Sequence, residues 1–458
     1  MLRTEKYEAG RFEGWRVRVH PSRSIATPAV WGDRVVFGGG FGSHEVYAVD
    51  AATGELAWEL KTRDDGPTAA TVVDGIAFLN TESCTLEAID VATGALLWEK
   101  WLGDPLLAQP AARAGRVLMV WPRAGRHFLG AFEVRTGTPL WETEVAADVI
   151  SAPVMVGDHA WVTTYDGSVT CVDVASGERL WTKPMLATSA PWVLGDRLFV
   201  AQRRAQARAE RAGRESRDGA ARPEAAASAE APLERITTLD SVAGEAQRSF
   251  SPKLAAYLAA SHGTARKVQF ASHDAAVGFG HAPAAAKLHL AEGLVGEGRV
   301  SRAWRYQGSR PVVWRGTLFE TAGDHLEATD IETGRRLWQW GEAVAEEGER
   351  RLTPAAVSNG RVLVGTWDGR LVSLDAADGT VRWDADVGAP VHWQPTMVQG
   401  RVFAGLEDGS VVCLHTRDAL DDGWPMWGGG PGHNGLAEAG EATAPAGSME
   451  HAATSAAK

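Results

Sequence analysis

Residues 48–58 read AVDAATGELAW, and the phrase returns as AIDVATGALLW (88–98), AFEVRTGTPLW (131–141), CVDVASGERLW (171–181), ATDIETGRRLW (328–338) and SLDAADGTVRW (373–383). In each copy an acidic residue stands four places before a glycine, and the glycine four before a tryptophan. The triples are Asp50–Gly54–Trp58, Asp90–Gly94–Trp98, Glu133–Gly137–Trp141, Asp173–Gly177–Trp181, Asp330–Gly334–Trp338 and Asp375–Gly379–Trp383. A short acidic side chain closes such a turn by accepting hydrogen bonds from its own backbone, and glycine takes positive φ at no steric cost. Successive tryptophans from Trp58 to Trp181 are spaced 40, 43 and 40 residues apart. A repeat of this length marks stacked supersecondary units rather than independent domains.

Upstream of each phrase lies a second landmark, a proline followed by a turn and a β-branched run. It occurs at Pro28, Pro110, Pro153, Pro191, Pro311, Pro354 and Pro395, with Ala70 in the equivalent place in the second unit. This landmark counts eight units. Each reads as four short strands; in the fourth these are SAPVMV, HAWVTTY, SVTCVDV and ERLWTKP, separated by GD, DG and ASG turns. Proline donates no ladder hydrogen bond and belongs on an edge strand. In a radial array of four-stranded sheets, the innermost strand is such an edge. The expected fold is therefore all-β: an eight-bladed propeller of four-stranded antiparallel blades over residues 14–435. The eighth unit offers only QPTMVQ, RVFAGLE and SVVCLHT, whereas GWRVRVH near the start is an orphan strand carrying Trp15. Pairing the two would close the ring and remove an open edge.

The period is interrupted once, between Trp181 and Trp338, 157 residues apart. The fifth unit begins normally with SAPWVLGDRLFVAQ and is expected to resume with AKLHLAEGLVGEGRVSRAW, ending at Trp304. That places an insertion at 203–283, within the fifth blade. From Arg203 to Pro232 it holds no Val, Leu, Ile, Met or aromatic residue. Such a composition cannot offset ordering entropy by burial, so this part is expected to be disordered or an exposed helix. Further on, LAAYLAASHG reads as a short helix and RKVQFAS as a strand. The Ala-, Glu- and Gly-rich stretch 436–458 is expected to be a disordered tail.

Composition narrows the function classes. The chain has 458 residues, a formal charge of -12, 3 Cys and 19 Trp against 5 Tyr and 12 Phe. An acidic balance argues against a phosphate-backbone surface, so no nucleic-acid partner is expected. Cys84, Cys171 and Cys413 form no CxxC, so neither a disulfide framework nor a cysteine zinc site is indicated. The N-terminal residues hold no apolar signal core, no lipobox precedes a cysteine, and no apolar run is long enough to cross a membrane. The expected location is cytoplasmic; an export signal upstream of the given start would make it periplasmic.

The repeat A-x-D-x-x-T-G-x-x-x-W resembles that of the pyrroloquinoline-quinone-like (PQQ-like) propellers. This family includes quinoprotein alcohol dehydrogenases and the propeller lipoprotein of bacterial outer-membrane assembly. A second match is Trp424-Pro425-Met426-Trp427 followed by Gly432-His433-Asn434-Gly435, similar to a signature near the ends of such propellers. The Asp and Arg often found within that signature are missing here. The quinone-dependent members imply an adjacent Cys-Cys disulfide, calcium-binding Glu and Asn, a catalytic Asp and a secretory signal. Here no two Cys are adjacent and no signal is evident, so PQQ is not expected as a cofactor, nor any other. The acidic residues of the turns have a structural explanation, and no catalytic, cofactor-binding or metal residue is assigned.

Other candidates carry structural explanations too. GGGFGS (38–43) superficially resembles a phosphate loop, but EVYAVD follows where a helix is required, so it reads as a hairpin turn. His273, His281 and His289 recur at intervals of eight as a candidate metal cluster. Trp121, Trp192, Trp314 and Trp393 fall near strand ends, as recognition anchors or as packing. The expected function is a non-catalytic, monomeric propeller that scaffolds protein–protein contacts through a face or the insertion. The alternative is a quinone-dependent oxidoreductase or small-ligand sensor using the central channel.

Overall fold

The computed structural model describes residues 2–19, 23–40, 42–104, 108–147, 149, 152–164, 166–187, 189–203, 234–244, 246–250, 311–322, 325–341 and 352–435. They form eight antiparallel sheets, seven of four strands taken in chain order and one of five. The blades follow the expected units, beginning at inner strands such as Ala29–Trp31, Thr71–Val73, Ala111–Arg113 and Val154–Val156. Neighbouring inner strands lie side by side around the axis. This is an eight-bladed β-propeller.

The repeated phrase turns out to be a device between blades. At the first turn, Asp50 Oδ1 accepts from the N–H of Ala52 and Thr53, and the Gly54 N–H donates to Asp50 O. Glycine is required at the next such turn for two reasons: Gly94 has φ of 75°, and a Cβ there would lie 2.6 Å from the Trp58 ring of the preceding blade. The Trp58 indole N–H in turn donates to Val91 O at 2.8 Å. Trp98 donates likewise to Val134 O, Trp141 to Val174 O and Trp338 to Ala376 O. These four tryptophans thus cap the turn of the following blade, and the glycine makes room for the ring. Burying an aromatic ring with its polar N–H satisfied is where such area stabilises most.

The ring closes as expected. Phe12–Arg18 pairs antiparallel with Ser410–His415, the third strand of the eighth blade. Trp15 stands opposite Cys413, and its indole N–H reaches Ala51 O of the first blade at 3.2 Å. Arg16 adds a tie to the seventh blade through Val387 O at 2.8 Å and stacks its guanidinium 4.7 Å from the Tyr7 ring centre. One strand lies outside the expected limits: Arg3–Ala9 pairs on the outside of Phe12–Arg18, so this sheet has five strands and begins before Gly14.

The fifth blade corrects the reading of the interruption. Its third and fourth strands are Glu234–Asp240 and Ala246–Phe250, inside the expected insertion 203–283. They do not come from the stretch ending at Trp304. The turn keeps the acid-to-glycine spacing, Asp240 to Gly244, but Arg248 occupies the tryptophan register opposite Thr238. Losing that one indole hid the repeat. The link between the second and third strands is therefore 204–233, and 251–310 joins the fifth blade to the sixth. Both links lie outside the described residues, as do the helix and strand read within 251–310, Trp304, the three spaced histidines and the stretch 436–458.

Candidate functional site

A propeller offers three places for function: its channel, its loops and its rim. The channel is lined by the inner strands, whose inward edges present unpaired backbone groups. The segment 424–435 meets them. Trp424 forms a two-way bridge with Met397 of the eighth blade, N–H to carbonyl at 3.0 Å each way. Pro425 O accepts from Val30 N–H of the first blade at 2.6 Å, Pro431 O from Ala112 of the third and Gly432 O from Met155 of the fourth, both at 2.8 Å. Asn434 closes the series on the fifth blade: its Oδ1 accepts from Val193 N–H and its Nδ2 donates to Val193 O, both 2.7 Å. Buried backbone donors need partners, and here the chain supplies them itself.

Side chains reinforce the seat. The Trp424 and Trp192 rings lie parallel within 4°, centroids 6.2 Å apart. Met426 sits at 1% exposure among Ala29, Ala70 and Val72 of the first two blades. A Cβ on Gly432 would fall 2.5 Å from Met155 O, so only glycine brings the backbone this close. His433 has its Nε2 2.8 Å from Pro110 O and its Nδ1 3.1 Å from Trp427 O. Complete burial pushes its pKa down to about 4, so the ring is neutral near pH 7 and donates from one nitrogen.

Elsewhere the titratable groups gather where the first two blades meet. The loop after Gly38 is a hairpin connection to Glu45–Asp50, as expected of GGGFGS, and its Gly42 N–H donates to Glu82 Oε1 at 3.1 Å. Glu82 sits beside Asp65 and Asp64, and Asp64 itself accepts from the backbone and hydroxyl of Ser83 at 2.7 and 2.8 Å. Glu87, in the third strand of the second blade, faces Glu99 across the ladder, and Glu99 pairs with Arg63. Burial, reinforced by these like charges, pushes both Glu82 and Glu87 up to about 7. Among the described residues, no three His, Cys, Asp or Glu are arranged to hold a metal ion. All three cysteines are buried and outside any disulfide; burial pushes Cys171 up to about 12 and Cys413 upward as well, so neither is a thiolate nucleophile.

Sequence candidates divide accordingly. Trp121, Trp192 and Trp393 are buried at 3%, 5% and 4% exposure and serve packing, Trp192 against the Trp424 ring. Trp314 is half-buried under the Arg315 guanidinium, 4.7 Å from its ring centre. His392 lies edge-on to Trp367 and 3.2 Å from Glu407. The channel role of 424–435 was not legible: its glycines and its Pro425 carry no strand period, and only its likeness to a terminal signature singled it out. No helix among the described residues is long and apolar enough to cross a membrane.

Known proteins match this architecture. A family model described as the outer membrane protein assembly factor BamB matches residues 8–120, 82–278 and 301–426. Among curated proteins, BamB of Moranella endobia is 26% identical over 155 residues, covering 30% of this chain and 39% of that protein. The dehydrogenase subunit of the quinone alcohol dehydrogenase of Gluconobacter oxydans is 30% identical over 133 residues, covering 24% of this chain and 18% of that one. The matched stretch is thus less than half of each relative. Among solved structures, BamB from Moraxella catarrhalis superposes with a TM-score of 0.56 at 15% identity, covering 90% of this chain and all of that one. A europium-containing methanol dehydrogenase superposes with a TM-score of 0.53 at 11% identity, covering 88% and 85%. These structural likenesses establish the fold.

Proposed function

Because the chain belongs to the PQQ-like propeller family whose matching model is that of the assembly factor BamB, we propose that it is a non-catalytic scaffold for protein–protein contacts. One observation carries this reading: the inner strands that line the channel, where a small ligand would enclose itself, have backbone groups taken by residues 424–435 of the chain itself. A folded protein partner meets the outside, where loops from eight blades spread over broad faces. The partner docks on a face or on the long link 204–233.

The test is capture from the native cell with the tagged full chain and with a variant whose 204–233 is replaced by a short Gly-Ser linker. That replacement joins Arg197–Arg203 to Glu234–Asp240, neighbouring strands of one sheet, so the variant is expected to fold. Removal of 203–283 would instead take away half of the fifth blade and is expected to abolish cooperative unfolding. A stoichiometric partner held by the full chain supports the scaffold, and its loss with the linker variant places the contact on 204–233. Recovery of no partner above background would count against the proposal.

A further inference from the structure

We propose that the inner edges of the blades form a peptide-binding collar for an extended, glycine-rich aromatic segment, and that residues 424–435 are its ligand held in cis. Nothing in this depends on the docking role above. The ring is already closed by Phe12–Arg18 on Ser410–His415, so the segment is not the closing strand. It joins no blade as a ladder strand; hydrogen bonds tie it to the inner strands of the first, third, fourth, fifth and eighth blades, and His433 adds contacts to Pro110 O and to Thr71 Oγ1 of the second blade. The division of labour is that of peptide capture at a sheet edge, with backbone bonds for affinity and separate side-chain contacts for specificity, although here the bonds are spread over several blades instead of one ladder.

Three contacts read the occupant. The Trp192 face takes Trp424, the Val193 backbone takes the Asn434 amide, and Gln394 reads the backbone by accepting from Gly428 N–H while its Nε2 holds Ala355 O. The fit leaves room for exchange. The Trp424 indole N–H is buried without an acceptor, a penalty that release removes. Gln109 Oε1, just before the inner strand of the third blade, and Thr396 Oγ1, at the start of that of the eighth, are also buried without partners. The tether is accessible: Arg417, Ala419 and Leu420 are exposed.

The experiment cuts the tether in the folded protein. A protease sequence is inserted between Ala419 and Leu420 of the full chain, the protein is cleaved, and a fluorescent synthetic peptide of residues 424–435 is titrated in. The cleaved protein is expected to stay folded, to shed its own segment and to bind the peptide saturably, while uncleaved protein takes up none. A peptide carrying Asn434→Ala should bind about tenfold more weakly, the equivalent of one good hydrogen-bonded contact. Three results would each overturn the proposal. These are unfolding on cleavage, retention of the cut segment with no uptake of peptide in excess, and equal binding of the Asn434→Ala peptide.

Discussion

Replacing Trp15 with alanine is expected to cost about 3–5 kcal/mol of stability, the range for emptying a buried aromatic site. The indole is 2% exposed and covers Gly54 of the first blade, where a Cβ would come within 2.6 Å of it. It also packs 5.9 Å from the Phe403 ring of the eighth blade, so its loss loosens both neighbours of the closure at once. Position makes this residue different from Trp58, which sits at an equivalent interface between two blades of continuous chain. Trp15 holds a strand that reaches the eighth blade by pairing and packing rather than through a turn of the chain, so weakening it lets Phe12–Arg18 and the Arg3–Ala9 strand paired to it peel away. Urea unfolding of Trp15→Ala and Trp58→Ala should therefore show similar losses in the midpoint. The Trp15 variant alone should also gain early proteolysis near its N-terminus. A loss under about 1 kcal/mol for Trp15→Ala, the range of ordinary surface changes, would mean that the N-terminal strand does not close the ring.

Stability should fall as pH rises from about 4.5 to above 7, and Glu82→Gln with Glu87→Gln should abolish most of that fall. Both carboxyls are buried, at 4% and 1% exposure, and both titrate near 7 in the fold against 4.5 in the unfolded chain. The folded state therefore holds two protons that the unfolded chain releases over this interval. A raised acid pKa contributes its stability below the unfolded value and loses it as pH passes the folded one. A tenfold difference in proton affinity between the two states corresponds to about 1.4 kcal/mol, so the two groups together are worth several kcal/mol at most. The turn carboxylates act in the opposite sense and in another window. Asp90, Asp173 and Asp330 are held below 3.8 chiefly by hydrogen bonds from their turn hydroxyls, so they stabilise above that value and lose their contribution as pH drops further. Glutamine at 82 retains an oxygen to accept from Gly42 N–H. The double variant should match the wild type near pH 5 and melt well above it at pH 8. Parallel melting curves for the two proteins from pH 5 to 8 would contradict the burial of these groups.

The fold was legible because one local rule recurs. The acid-to-glycine and glycine-to-tryptophan spacings encode a turn, a positive φ and an indole packing site together, and Asp50, Gly54 and Trp58 each have one of those tasks. Where the rule loses a member the reading fails, as at Arg248, and the outer strands of the fifth blade were displaced by some fifty residues of sequence in consequence. The closing strand was visible because Trp15 kept the pattern without the turn. Arg3–Ala9 was not, since an outermost strand with one buried residue carries no alternation. The channel was the least legible part. Its occupant is recognised through backbone groups of Val30, Ala112, Met155 and Val193, and a backbone hydrogen bond leaves no signature in side-chain type.

Thermal unfolding of the full chain with and without saturating PQQ and calcium decides whether the channel is closed to a cofactor by the chain's own residues. A ligand bound only by the folded state at a hundredfold excess over its Kd would stabilise it by about 2.7 kcal/mol, several degrees for a domain of ordinary size. With residues 424–435 bonded along the inner strands, superimposable curves and an unchanged PQQ absorbance spectrum are expected. A saturable rise in melting temperature accompanied by a change in that spectrum would contradict a self-filled channel and return the chain to the quinone-dependent enzymes.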